Sequence, residues 1–177
     1  MTNIVLTGDH AGKLVLETAE ALSMPVAGYE LRPFAINGRI KGKMIHLFQA
    51  PAGEMANDIP CLLFLSEEKQ VPVQDVFEEL AAKALRQGVS QQALILADGL
   101  TAETLALPAF RQCVEACLQS PCGIVLCADE DALPALWELS GGSDLQVFSA
   151  EDPNVSMQLQ NELCSLARKS RTQTFYW

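Results

Sequence analysis

The feature that most constrains this chain is a set of short, wholly apolar runs, each leading towards a stretch of helical spacing. Asn3–Thr7, Cys61–Leu65, Ala93–Asp98 and Gly123–Cys127 carry almost no polar alternation. A strand without alternation has both faces covered, the condition of a parallel sheet packed between helices. Helices are expected over 11–23, 73–87, 106–119, 132–139 and 155–168, and a further strand over 144–148. The pattern predicts an α/β fold with a mainly parallel central sheet and helices on both faces. Ligands bind such sheets at the carboxyl ends of strands. The segment Gly8–Lys13 and the residue Asp98 both stand at such ends.

Residues 26–49 depart from this pattern. They alternate and are broken by Asn37-Gly38, a dipeptide that tolerates positive φ at both turn positions. An inserted β-hairpin is expected, with strands over 26–36 and 39–49. In helix 73–87, Val73, Val76, Phe77, Leu80, Ala84 and Leu85 share a face, and Gly88 is expected as the C-terminal cap. Pro51–Glu54 reads as a loop, Glu151–Asn154 as a turn and helix start, and Arg171–Trp177 as strand or extended coil. No repeat, low-complexity stretch or linker divides residues 1–177, which are read as one domain long enough for a full core.

Composition narrows the function classes. A hydrophobic content of 49% with 19% charged residues argues against disorder. The net charge of −10 argues against coating a nucleic acid, which needs a basic face to displace counterions. No apolar run has the length of a membrane span. The N-terminus is strand-like without a basic lead-in, so no signal peptide is read and a cytoplasmic location is expected. The six cysteines then read as reduced thiols. Cys113 and Cys117 share a helical face, and Cys122 and Cys127 follow at intervals of five. Without CxxC pairs, they read as core packing in preference to zinc or a Cys117–Cys122 disulfide.

The first strand-to-helix turn carries the chemistry. A complete phosphate loop is Gly, four residues, then Gly-Lys-Ser/Thr: backbone N–H groups cradle phosphates, the lysine reaches outer phosphates and the hydroxyl holds Mg²⁺. Here Gly8 and Gly12-Lys13 are separated by three residues, so the loop is one short, and Leu14 stands in the hydroxyl's place. The candidate cradle is Gly8, Asp9, His10, Ala11, Gly12, Lys13 and Leu14. Asp9 puts an anion where a phosphate would lie. It reads as a cap for the helix beginning near Ala11, meeting the positive end of its dipole. Lys13 would then pair with Asp9 or Asp98 and close the site.

The order of segments resembles the small nucleoside-triphosphatase family known from thermophiles and from a cancer-related human relative. Gly28–Arg32 with Asn37–Gly42 resembles that family's hairpin, Val76–Leu80 its central helix, Leu94–Asp98 its Walker B strand, and Leu107–Arg111 the proline-phenylalanine-arginine stretch that follows. The resemblance covers nearly the whole chain. It implies a three-layer, RecA-like P-loop fold and Mg²⁺-dependent hydrolysis of nucleoside triphosphates. On that resemblance Lys13 contacts phosphate and Asp98 supports Mg²⁺ through water.

The departures are as informative. The family's Walker B strand ends in Asp-Glu, whereas here it ends Asp98-Gly99. The missing glutamate is the one that orients or deprotonates the attacking water. Where the family has a second glutamate, ungapped alignment places Thr104, with Glu103 beside it. Three parts of one mechanism are absent together. The sequence therefore reads as a degenerate member that binds Mg·ATP or Mg·GTP weakly or not at all and hydrolyses it little. Two alternatives stand beside it: a non-catalytic scaffold with a protein partner, and an active enzyme using Glu103 or His10 as base. His10 and His46 read otherwise as solvated residues. Arg32, Arg39, Lys41 and Lys43 read as a hairpin's charged outer face, with nucleotide phosphates or an acidic partner as the alternatives. Tyr176 and Trp177 are expected to dock on the body or on a partner.

Overall fold

A computed structural model describes residues 3–48, 58–67, 69–91, 93–142 and 144–172. Among these residues eight strands form one sheet: β1 Asn3–Thr7, β2 Val26–Ile36, β3 Arg39–Phe48, β4 Ile59–Phe64, β5 Gln70–Pro72, β6 Leu94–Leu100, β7 Ile124–Ala128 and β8 Leu145–Ser149. Their order across the sheet is β5-β4-β3-β2-β6-β7-β1-β8. From β2 to β8 every neighbouring pair is parallel; β3, β4 and β5 extend the sheet antiparallel. The predicted hairpin is present but is not set apart from the sheet. Its first arm, β2, pairs parallel with β6, from Val26 beside Leu94 to Tyr29 beside Ala97. Ile36 pairs with Arg39 around Asn37-Gly38, whose φ angles of 51° and 75° suit the tight reversal.

The helices are α1 Ala11–Ala21, α2 Ala82–Gln91, α3 Ala102–Leu105, α4 Pro108–Leu118, α5 Leu133–Leu139 and α6 Val155–Thr172. The apolar strands serve two cores, one on each face. Ile4, Leu6, Leu94, Leu96, Val125 and Cys127 face α1 and α6 through Val15, Ala19, Leu159 and Leu163. Val5, Ile95, Ala97, Ile124 and Leu126 face the other way, towards α2 and α4. Alternate residues of one strand thus enter different cores, which is why the sequence shows no polar alternation there. In the second core Phe77 meets Tyr29 and Phe110 edge-on, and Tyr29 and Phe110 are tilted to each other, with ring centroids 5.3–6.4 Å apart.

Several expectations are corrected. Gly88 does not cap a helix; α2 continues through it to Gln91. A β-carbon on Gly88 would stand 2.9 Å from Ile95 Cγ1 and 3.0 Å from Ala27 Cβ, so its role is close approach of α2 to the sheet. Residues Val76–Ala81 ahead of α2 form a wide π-helical turn, which apolar spacing does not distinguish from α-helix. β5, three residues long, has no sequence signal. The short α3 precedes α4, so the helix expected from 106 begins at Pro108. All six cysteines are free thiols, and five of them are buried. The Pro51–Glu54 loop and the terminal Tyr176 and Trp177 lie outside the described residues. No helix among the described residues is long and apolar enough to cross a membrane.

Candidate functional site

A cavity of about 570 Å³ opens at the carboxyl ends of β1, β6 and β7, and the neighbouring strands β2, β3 and β4 complete its wall. Gly8, Asp9, His10, Ala11, Gly12 and Lys13 line one side, and Asp98 and Gly99 lie at the end of β6. The fold therefore brings together the two segments singled out in the sequence. Leu14 is not on this wall; it faces an adjoining groove with Glu17 and Ala150–Pro153. Glu103 is exposed on α3 and does not line the cavity. Thr104 is fully buried and closes a capping box with Thr101, a structural role. His46 is half-buried on β3, with its Nδ1 3.6 Å from Asp58 Oδ1.

The turn at 8–13 differs from the predicted self-capped arrangement. Gly8 has φ 99° and His10 is left-handed at φ 61°, ψ 14°. His10, not Asp9, is the N-cap residue, and no side chain caps the helix. Asp9 makes no hydrogen bond there because the left-handed step at His10 precedes the helix. Among the described residues, the backbone N–H groups from Asp9 to Lys13 meet no protein acceptor; the first bond runs from Leu14 N–H to His10 O. These open N–H groups and the helix dipole favour an anion at this end.

The carboxylate that meets this helix start is Asp98. A β-carbon on Gly12 would stand 2.9 Å from Asp98 Oδ2 and 3.0 Å from its Cγ, so the carboxylate packs directly against the first turn of α1. The Leu31 N–H donates to Asp98 Oδ2 at 2.9 Å. Burial pushes the Asp98 carboxyl above its ordinary range; the Leu31 N–H and the Lys43 charge oppose that rise. Lys13 pairs with neither Asp9 nor Asp98. It points along its own helix to Glu17 at 3.7 Å, with both side chains exposed.

Two further residues define the site: Asp129, which the sequence reading did not select, and Lys43, which it placed on the hairpin's charged face with nucleotide phosphates as an alternative. Asp129 lies just beyond β7, where its N–H donates to Leu100 O at 2.9 Å. Burial raises its carboxyl, Lys43 opposes the rise, and Asp131, Asp9 and Glu103 add to it. The strand-end rule that selected Asp98 would have found it. Lys43, one member of the charged hairpin face, lines the cavity with Arg32, Glu30, Pro33 and Ile40. Arg32 is held by Glu30 through a guanidinium–carboxylate pair. Arg39 and Lys41 are exposed and are not on the wall.

Gly99, in the place of the missing glutamate, has φ 68°. A β-carbon there would stand 2.2 Å from Leu31 Cδ1. A side chain at position 99 would have to displace the end of the Leu31 side chain and adopt a left-handed backbone. The Leu107–Arg111 segment leads away from the cavity: Pro108 opens α4, Phe110 is in the core, and Arg111 pairs with Glu138 at 3.3 Å.

Two solved structures match this architecture over nearly their whole length. THEP1 from the hyperthermophile Aquifex aeolicus superposes with a TM-score of 0.68 at 18% identity, covering 94% of this chain and 99% of that one. A human cancer-related nucleoside triphosphatase superposes with a TM-score of 0.64 at 19% identity, covering 100% of both chains. The chain has the fold of these two proteins. It is a P-loop-type α/β fold, a mostly parallel sheet between helical layers, in which the 8–13 turn joins the first strand to the first helix. No family model matches the sequence, and no curated protein matches it.

Proposed function

We propose that this chain binds a nucleoside phosphate weakly in the 8–13 cavity and turns over ATP or GTP slowly or not at all. The observation that carries the reading is the open turn itself. Unpartnered N–H groups from Asp9 to Lys13 share one cavity with Asp98 at the carboxyl ends of the strands. Such N–H groups suit a phosphate oxygen.

Affinity is limited by charge. Asp9, Glu30, Asp98 and Asp129 all line the cavity, against Lys13, Arg32 and Lys43, of which Lys13 and Arg32 already have carboxylate partners. A phosphate entering this field meets repulsion at the cavity wall. Mg²⁺, when bound, would neutralise phosphate charge. The donor set fits it only partly, because Asp98 has one oxygen committed to Leu31 and Leu14 offers no hydroxyl. Asp98 would hold the ion through water, with Asp129 as the second carboxylate. Hydrolysis is limited by geometry. Position 99 offers no carboxylate to orient water, and His10 is the remaining cavity-lining base candidate.

The same departures favour a second reading, a non-catalytic scaffold or regulatory subunit that keeps the fold and has a protein partner. Calorimetric titration of the full chain with ATP and GTP, with and without Mg²⁺, separates the two. The expected dissociation constant is on the order of 0.1–1 mM, or about 4–5.5 kcal/mol. Phosphate release is expected at or below the roughly 10⁻³ s⁻¹ of an unassisted GTPase. Turnover of about 1 s⁻¹ or faster would overturn the reading in favour of a working enzyme. No binding at about 10 mM nucleotide, weaker than about 3 kcal/mol, would leave the scaffold.

A further inference from the structure

We propose that Lys43, delivered from the hairpin strand β3, is the principal cation for the anion bound at the 8–13 turn, in place of the loop's own Lys13. The assignment rests on reading this cavity as a phosphate site and adds the residue that would hold the ligand's charge.

Four observations lead to it. The first is commitment. Of the three basic side chains on the cavity wall, Lys13 is drawn outward to Glu17 and Arg32 is paired with Glu30. Among the described residues Lys43 forms no ion pair.

The second is direction. On β3, Ile45 and Leu47 are buried on one face of the sheet, and Lys43 continues that row by the period of two. It pairs with Pro33 on β2, which also lines the cavity. The row thus leaves the core where the cavity begins, and its last member there is a lysine.

The third is anchorage. The Cys61 thiol donates to the Lys43 carbonyl at 3.3 Å. The register between β3 and β4 shifts there because β4 carries one extra residue, Cys61, while β3 keeps its alternation through Lys43 and Met44. Beside it, a β-carbon on Gly42 would stand 2.0 Å from Leu62 O, so the two strands close up where Lys43 departs. The stem of Lys43 therefore springs from a fixed point.

The fourth is reach. The Lys43 charge is felt by both Asp98 and Asp129, each of which it favours in the ionised form. Lys43, both carboxylates and the 8–13 turn line one cavity, which puts the lysine within reach of an anion held at the turn. The phosphate site is then built across the sheet: neutral donors from the 8–13 backbone on one side, and the charge from β3 on the other.

The test titrates the full-length chain with inorganic pyrophosphate without metal, and with Mg·ATP, by calorimetry. The variants are Lys43→Met, Lys43→Gln, Lys43→Arg and Lys13→Met, each first checked for an unchanged thermal unfolding curve. Two substitutions that remove the charge guard against one failing to fold. Loss of a charge-assisted contact predicts that Lys43→Met and Lys43→Gln weaken pyrophosphate by about tenfold or more. Lys43→Arg should stay within about threefold of the parent, and Lys13→Met should lose less than Lys43→Met. The assignment is overturned if the parent binds and both neutral Lys43 variants bind equally well, or if Lys13→Met loses more. Equal binding would make Lys43 an internal counterion for Asp98 and Asp129. If the parent binds neither probe, the phosphate reading falls and the assignment with it, an outcome distinct from either of those.

Discussion

The Leu31 side chain occupies the space into which any side chain at position 99 would project. The β2–β6 register ends with Tyr29 beside Ala97, and just beyond it a β-carbon on Gly99 would stand 2.2 Å from Leu31 Cδ1. The same neighbourhood lets the Leu31 N–H hold Asp98. One residue therefore holds the Asp98 carboxylate and occupies the space beside position 99.

Gly99→Glu is consequently not expected to restore a catalytic carboxylate. The left-handed backbone at φ 68° costs a non-glycine residue about 1–2 kcal/mol. Overpacking against Leu31 adds about 1–3 kcal/mol. Urea unfolding should show a loss of about 2–5 kcal/mol, with phosphate release from ATP no faster than in the parent. Adding Leu31→Ala should make the double variant lose less than the sum of the singles. Faster phosphate release from Gly99→Glu alone would contradict the closure.

Gly12 and Asp98 are coupled in the same way. An alanine normally gains about 0.5–1 kcal/mol over glycine in a helix. At position 12 its methyl would press on the Asp98 carboxylate, which the Leu31 N–H holds in place. Gly12→Ala should destabilise the parent by about 1 kcal/mol, yet be neutral or stabilising in an Asp98→Ala background. Equal effects in both backgrounds, measured by chemical unfolding, would show that the contact carries no energy.

Much of this arrangement was legible in the sequence because it is local. Three of the four unalternated runs gave parallel strands, while Cys61–Leu65 became the antiparallel β4; Asn37-Gly38 gave the hairpin turn, and strand-end position brought Gly8–Lys13 and Asp98 to one cavity. What was not legible depends on which strands become neighbours. Lys43 and Leu31 reach the site only because β2 pairs with β6 on one side and β3 on the other. Asp9 looked like a cap because aspartate often caps helices; the left-handed step at His10 moved the cap position by one residue. Gly88 looked like a terminator because glycine often ends helices, whereas here it makes room for Ile95 and Ala27.

Burial raises the Asp98 carboxyl above its ordinary value of 3.8, which fixes the sign of a pH effect. A carboxyl with a higher value folded than unfolded binds more protons in the native state between those two values. Stability therefore falls as pH rises through that interval, and the ionised form costs stability above it. Asp98→Asn keeps an acceptor for the Leu31 N–H and removes this titration. The stability gap between Asp98→Asn and the parent should move in favour of the variant as pH is raised above 3.8, then level off once Asp98 is ionised in the fold. Urea unfolding of both proteins from pH 4 to pH 8 covers a perturbed carboxyl's range. A gap that moves the other way would mean that the Leu31 and Lys43 contacts outweigh burial.

The Tyr29 hydroxyl is buried and finds no hydrogen-bond partner among the described residues. Its ring packs against Phe77 and Phe110, with Asp98 near enough to disfavour phenolate further. Desolvation, the larger effect, also keeps the phenol protonated, so the group is a neutral donor without an acceptor. An unsatisfied buried polar group costs about 1–3 kcal/mol, and removing it without changing the ring's shape recovers part of that. Tyr29→Phe should therefore stabilise the fold by about 1 kcal/mol, read as a higher urea midpoint at an unchanged slope. Because the aromatic contacts remain, a loss would show that the hydroxyl does have a partner, a buried water between Tyr29 and Asp98 being the chemically matched one.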